Sequence, residues 1–187
     1  MRYIAGALSY GLYYTQVEDC KLRGFTDSNW AGSVEDRRST SGNMFSIGSA
    51  TITWSPNWQE ITALSTTEAE YISATSSACQ VVWLRKLLSD IGQEQKGATD
   101  IYYDNKSAIA LTKNPIQHWR TKHIDIRFHF IRNLVSDGSK AVKFCHTEDQ
   151  VANIFTKVLS GKKHSYFRMK LGVCNFELRA CVERIQS

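Results

Sequence analysis

The sequence predicts an α/β fold in which one mixed sheet is flanked by helices. Three observations carry that expectation. Runs rich in β-branched and aromatic residues follow one another between Leu22 and Ser55. From Ser65 the apolar spacing changes to sevens and fours and stays helical as far as Gly92. Two later strand-like runs, "TDIYYDN" and "KAVKFCH", are separated by helical patterns, and such an order stacks helices on a sheet around one core.

The opening "MRYIAGALSYGLYY" has the spacing of a short amphipathic helix and lacks the apolar core and cleavage site of a signal peptide. In the first strand, "LRGFTDSNWAG", Leu22, Phe25 and Trp30 suit a sheet, whereas Asp27 belongs to a residue class that strands avoid. Strands at 41–48 and 50–55 form a hairpin about Gly48-Ser49, and "SPNWQEITAL" with its proline reads as a loop. Ser65 followed by Glu68 is a capping box that opens the long helix. Ile72, Cys79, Trp83, Leu87 and Ile91 form its apolar stripe, and Gly92 stops it. A strand at 99–105 leads into the short helix "NKSAIALTKN", which Asn114-Pro115 terminates. "HIDIRFHFIRNLVSDG" sets Ile124, Phe128, Ile131 and Val135 on one helical face. "KAVKFCH" is the fifth strand, and "EDQVANIFTKVL" a last short helix.

A length of 187 residues is enough for one domain with a sizeable core. No run approaches the roughly 18 apolar residues of a membrane span, so no membrane partner is expected. The five cysteines (Cys20, Cys79, Cys145, Cys174, Cys181) include no C-x-x-C pair. That spacing argues against a zinc knuckle or redox motif and for reduced thiols in a cytoplasmic or nuclear protein that is not secreted. The net charge of +5 favours a polyanionic partner. Its carriers fall in clusters, Arg37 and Arg38, then Arg120, Lys122, His123 and Arg127, then Lys162 and Lys163, and for any one cluster a solvated face is the better reading.

Three acids stand out against this pattern. Asp27 lies inside a strand, Glu70 in the first turns of the long helix, and Asp104 where the fourth strand meets the next helix. Strand ends and helix starts converge in an α/β layer, so the three can share one site. Carboxylates so close repel unless cations neutralise them, and with no basic neighbour in sequence the pattern favours hard divalent ions with oxygen ligands. The competing reading makes each acid a surface residue or a cap. For Glu68 the cap prevails, for Asp104 the two readings balance, and Asp27 is hard to dismiss because burying it costs desolvation.

Six stretches in order, "FTDSNWAGSVEDRRSTSG", "ALSTTEAEYISA", "VVWLRKLL", "YYDNKSAIALTKNP", "RTKHIDIRFHFIR" and "TEDQVANIFTKVL", resemble the ribonuclease H domain of copia-type LTR retrotransposon Pol polyproteins. The resemblance runs from about residue 2 to 178, and the opening resembles the end of the connection from the reverse transcriptase, as if the chain were cut from a longer one. It implies a ribonuclease H-like five-stranded sheet, three antiparallel strands and then two parallel ones. It also implies a division into 1–20 (the end of the connection), 21–160 (the ribonuclease H-like domain) and 161–187 (a C-terminal extension).

The activity it implies is cleavage of the RNA strand of RNA–DNA hybrids during reverse transcription, beside the reverse transcriptase domain of the same polyprotein, in a cytoplasmic virus-like particle or the nucleus. Two Mg²⁺ or Mn²⁺ ions would be held by Asp27, Glu70, Asp104 and a fourth position, Asn153. There the family pattern "LADIFTKPL" has an Asp and this chain reads "VANIFTKVL". A neutral amide weakens Mg²⁺ binding, and Asp149, four residues earlier on the same expected helical face, is a partial substitute. His146 is a candidate for proton transfer. Arg38, Ser65, Thr67, Asn105, Arg120, Lys122, His123 and Arg127 are candidates for holding nucleic acid. Two other readings compete: a catalytically impaired hybrid-binding or structural remnant, and an integrase, which is disfavoured because Glu70 directly follows three strands.

Overall fold

Alternating apolar and small residues build a five-stranded sheet in the order β4-β3-β2-β5-β6. The computed structural model describes residues 6–33, 35–113 and 122–177, with side chains described outside 111–128. The strands are β2 (Leu22–Asn29), β3 (Thr40–Ile47), β4 (Ala50–Trp58), β5 (Thr99–Tyr103) and β6 (Lys140–Phe144). The first three pair antiparallel, and β5 and β6 then add in parallel. This is the ribonuclease H-like arrangement that the resemblance implies. The β3–β4 turn falls at Gly48, whose positive φ of 58° suits glycine. β4 runs to Trp58, three residues past the expected end, and contains Pro56. Its place at the sheet edge explains this, because a proline there removes no central ladder bond.

The helices are α1 (Thr66–Asp90), α2 (Lys106–Lys113), α3 (Lys122–Ser136), α4 (Asn153–Thr156) and α5 (Gly161–Lys170). α1 packs on one sheet face through Ala74, Ala78, Val81, Leu84 and Leu88, joined by Ile131 and Leu134 of α3. The expected stripe of α1 is therefore wrong: Trp83 is 54% exposed and Ile91 64%. Large apolar residues are spread around this helix, and the side that meets the sheet is the one whose alanines and serines let the axis come close. On the opposite face, Met44, Val151 and Leu171 form a second cluster with Phe25, Ile154, Phe155 and Val173.

Two further expectations fail. The opening segment is not helical where described: Tyr10–Leu12 (β1) pairs antiparallel with Val173–Asn175 (β7). The last segment is mostly turns, and only Asn153–Thr156 is helical. α5 and β7 were not anticipated.

Candidate metal centre

β2 is covered on both faces, so Thr26, Asp27 and Ser28 are all buried. Its parallel pairing with β5 aligns Phe25 with Tyr102, and two more steps along that register bring Asp27 level with Asp104. Asn105, not Asp104, caps α2: its Oδ1 accepts from the amides of Ser107 and Ala108 at 2.9 and 3.2 Å. The cap reading of Asp104 is thereby set aside. At the start of α1, the Glu68 amide donates to Ser65 Oγ (3.2 Å) and the Glu68 carboxylate accepts from the Leu64 amide (2.8 Å). Glu68 is thus the capping acid. One turn past Glu70, Ser73 Oγ donates to the Asp27 carbonyl (2.9 Å) and lies 2.8 Å from Thr26 Oγ1, pinning the helix to the strand. Asp27, Glu70 and Asp104 each present an oxygen within 4.8 Å of the others, the only such group of potential metal-binding side chains among the described residues.

The fourth wall is the segment 147–157. Gln150, fully buried, donates through Nε2 to the carbonyls of Thr26 (3.0 Å) and Tyr102 (3.2 Å), fixing the segment where β2 and β5 run side by side. Asn153 is 3% exposed, and its Nδ2 donates to the Thr147 carbonyl at 2.8 Å. Lys157 Nζ donates to Asn153 Oδ1 at 2.6 Å and to Asp27 Oδ1 at 3.0 Å, and lies 3.9 Å from Asp104 Oδ2. The Thr156 hydroxyl donates to Asp27 Oδ2. Gly42, opposite Asp27 on β3, makes this approach feasible, since a Cβ there would stand 2.7 Å from Thr156 Cγ2.

Burial raises the Asp27 carboxyl above its ordinary value, while Lys157 and Thr156 pull it back. Glu70 is pushed up to about 8, first by burial and then by the Asp27 and Asp104 charges. Its Oε2 is buried without a hydrogen-bond partner. Three carboxylates, all oxygen donors, with one orphaned buried oxygen among them, fit a hard divalent ion. A basic residue is nonetheless present: the cluster does have a cationic neighbour, contrary to the expectation from local sequence.

The other candidate residues are dispersed. His146 is exposed, packed edge-on against Phe144 at 5.3 Å, in a cleft with Glu148, Lys162 and Lys163. Asp149 lies in a turn at that cleft, outside the carboxylate group and before α4 begins, so it does not share a helical face with Asn153. Arg38 pairs with Asp36 at 3.1 Å on an exposed loop. Ser65 is occupied as the α1 cap and Thr67 is half-buried beside it. Arg120 lies outside the described residues, as do the side chains of Lys122, His123 and Arg127. Sequence reasoning missed Gln150, Thr156 and Lys157. All three stand in "TEDQVANIFTKVL", where their concentration around Asn153 was the available signal.

No protein-family model matches the chain. The retrovirus-related Pol polyprotein from transposon TNT 1-94 of Nicotiana tabacum is 38% identical over 173 residues, 92% of this chain and 13% of that protein. Those from transposons RE2 and RE1 of Arabidopsis thaliana are 36% and 37% identical, over 92% of this chain and 12% of each. The solved N-terminal RNase H domain of rv2228c from Mycobacterium tuberculosis, a fusion with maltose binding protein, superimposes with a TM-score of 0.53 at 11% identity. The match covers 80% of this chain and 97% of that one, a likeness of fold. This chain is homologous to a segment, 12–13% of the length, of retrovirus-related Pol polyproteins from copia-type transposons, and it has the ribonuclease H-like fold.

Proposed function

We propose that the chain is a metal-dependent endoribonuclease domain that cuts the RNA strand of RNA–DNA hybrids during retrotransposon reverse transcription, weakened by Asn153. The observation that carries this reading is the convergence of Asp27, Glu70 and Asp104 within 4.8 Å on a ribonuclease H-like sheet. Homology to Pol polyproteins supports the setting, beside a reverse transcriptase domain of the same polyprotein. The RNase H domain of like fold supports the substrate class.

Asp27, Glu70 and Asp104 would hold two Mg²⁺ or Mn²⁺ ions, with Asn153 offering one neutral oxygen at the fourth position. When bound, such ions supply Lewis-acid polarisation of the scissile phosphate and a more acidic water. The protein's own part is rigidity: Ser73 and Gln150 fix the backbone around Asp27, so its carboxylate needs little reorganisation. Thr66, Asn105 and Lys106 line the open side of the cleft, where the first amides of α1 favour an anion.

Asn153 also favours a second reading, a hybrid-binding domain with an impaired site. One assay separates them: cleavage of a hybrid labelled on its RNA strand, with Mg²⁺ and with Mn²⁺, beside hybrid binding. Slow cleavage, faster in Mn²⁺ and lost in Asp27→Asn, is expected. Binding without cleavage under either ion identifies the impaired binder, and cleavage untouched by Asp27→Asn overturns the site.

A further inference from the structure

We propose that Lys157 is a built-in counter-cation of the carboxylate cluster, which a divalent ion has to displace from Asp27 in order to bind. The inference rests on the metal-centre reading above and adds a competitor to it. Lys157 follows α4 in an extended conformation (φ −124°, ψ 146°). Its ammonium meets oxygens from three separate elements: Asp27 of β2 at 3.0 Å, Asn153 of α4 at 2.6 Å and Asp104 after β5 at 3.9 Å. That is the oxygen set proposed for the ions, leaving out Glu70.

Thr156 holds the second oxygen of Asp27, so both lone-pair-bearing atoms of the buried carboxylate are engaged by consecutive residues of one segment. A magnesium ion needs oxygen at about 2.0–2.1 Å, and an ammonium bonded to the same oxygen stands in the space the ion would fill. Like charges at such a separation also repel, so the two cations exclude each other. Lys157 is equipped to leave. Its side chain is 35% exposed against 0% for Asp27, and it lines the open cleft with Ser28, Trp30 and Asn105. A flexible four-carbon stem carries the charge from the cluster to solvent without moving the backbone.

A purely structural ion pair and an exchangeable counter-cation predict opposite signs for one measurement. Calorimetric titration of metal-free protein with MnCl₂ should give about ten- to hundredfold tighter binding in Lys157→Met, the equivalent of one charge-assisted hydrogen bond no longer to be broken. Thermal melts of the same metal-free samples should show the variant less stable than the parent, because the buried Asp27 loses its cation and keeps only Thr156. Lys157→Gln keeps a donor without charge, serves if the Met variant does not fold, and should also bind Mn²⁺ more tightly. Asp27→Asn reports which binding belongs to the cluster. Unchanged or weaker Asp27-dependent binding in both Lys157 variants overturns the exchange and leaves the metal centre standing. No Asp27-dependent binding in any of the proteins overturns both.

Discussion

Replacing Asn153 with Asp changes one atom in a fully engaged side chain, and the structure sets the size of the effect. In the metal-free protein Oδ1 keeps Lys157, at 2.6 Å, and that bond, already charge-assisted by the ammonium, becomes an ion pair. The second charge adds about 1 kcal/mol. The other atom loses: Nδ2 donates to the Thr147 carbonyl at 2.8 Å, and an oxygen in its place sets acceptor against acceptor at a site 3% exposed. Leaving that carbonyl unsatisfied costs about 1–3 kcal/mol. Asn153→Asp should therefore leave metal-free stability unchanged or lower it by up to about 2 kcal/mol. Catalysis should move the other way. One additional charged ligand, worth about 1.5–3 kcal/mol in the transition state, raises the rate about ten- to hundredfold. The gain should be larger in Mg²⁺ than in Mn²⁺, because Mn²⁺ is bound more tightly than Mg²⁺ by sites that include neutral donors. Single-turnover cleavage of a labelled hybrid, with urea denaturation of the chelated protein, measures both. A variant that melts lower yet cuts no faster with either ion refutes Asn153 as the defect.

Two further outcomes test the fold. Leu84→Ala should cost about 2–5 kcal/mol, since Leu84 is 3% exposed against the sheet, whereas Trp83→Ala, at 54% exposure, should stay within about 0.5 kcal/mol. The reverse order in urea denaturation would mean that α1 faces the other way. Burial pushes Lys140 down from 10.5 to about 7 while its ammonium donates to Tyr103 Oη at 2.8 Å. The unfolded chain then binds the extra proton, so the contribution of Lys140 is full above 10.5 and is lost as pH falls through about 7. Lys140→Met should gain on the parent as pH falls across that window, and a stability difference that does not vary with pH counts against the burial effect.

The topology was legible because each strand and helix announces itself over a few neighbouring residues, with turns such as Gly48-Ser49 between them. The acids were legible for the same reason: Asp27 offends the local pattern of its own strand. What failed was non-local. β1 read as helix because its partner, Asn175 opposite Tyr10, lies at the far end of the chain. Lys157 is 130 residues from Asp27, and only the folded sheet, with Gly42 clearing the way, brings its ammonium to that carboxylate. The misread face of α1 has a different cause. Two sides of the helix carry large apolar residues, and the one with Val81, Leu84 and Leu88 packs because Ala74 and Ala78 beside them let the axis come close, so apolar size alone misled where closeness of approach decides burial.

Glu70 ties the charge balance of the site to pH. Its folded-state value is raised from 4.5 to about 8 by burial and by two neighbouring carboxylates. In the metal-free protein its stabilising contribution is therefore complete below 4.5 and is lost as pH rises through about 8. Metal binding runs against that proton, because a carboxylate ligates only after releasing it. Mn²⁺ affinity should therefore climb with pH, by about tenfold per unit for one released proton, and flatten above about 8. Direct titrations of Mn²⁺ across this range, for the parent and for Glu70→Gln, separate the ligand from its surroundings. The variant has no proton to release at this position, so its affinity should be lower and should lose this part of the slope. Equal slopes and equal affinities in the two proteins would show that the ion takes nothing from Glu70, and the third carboxylate would drop out of the centre.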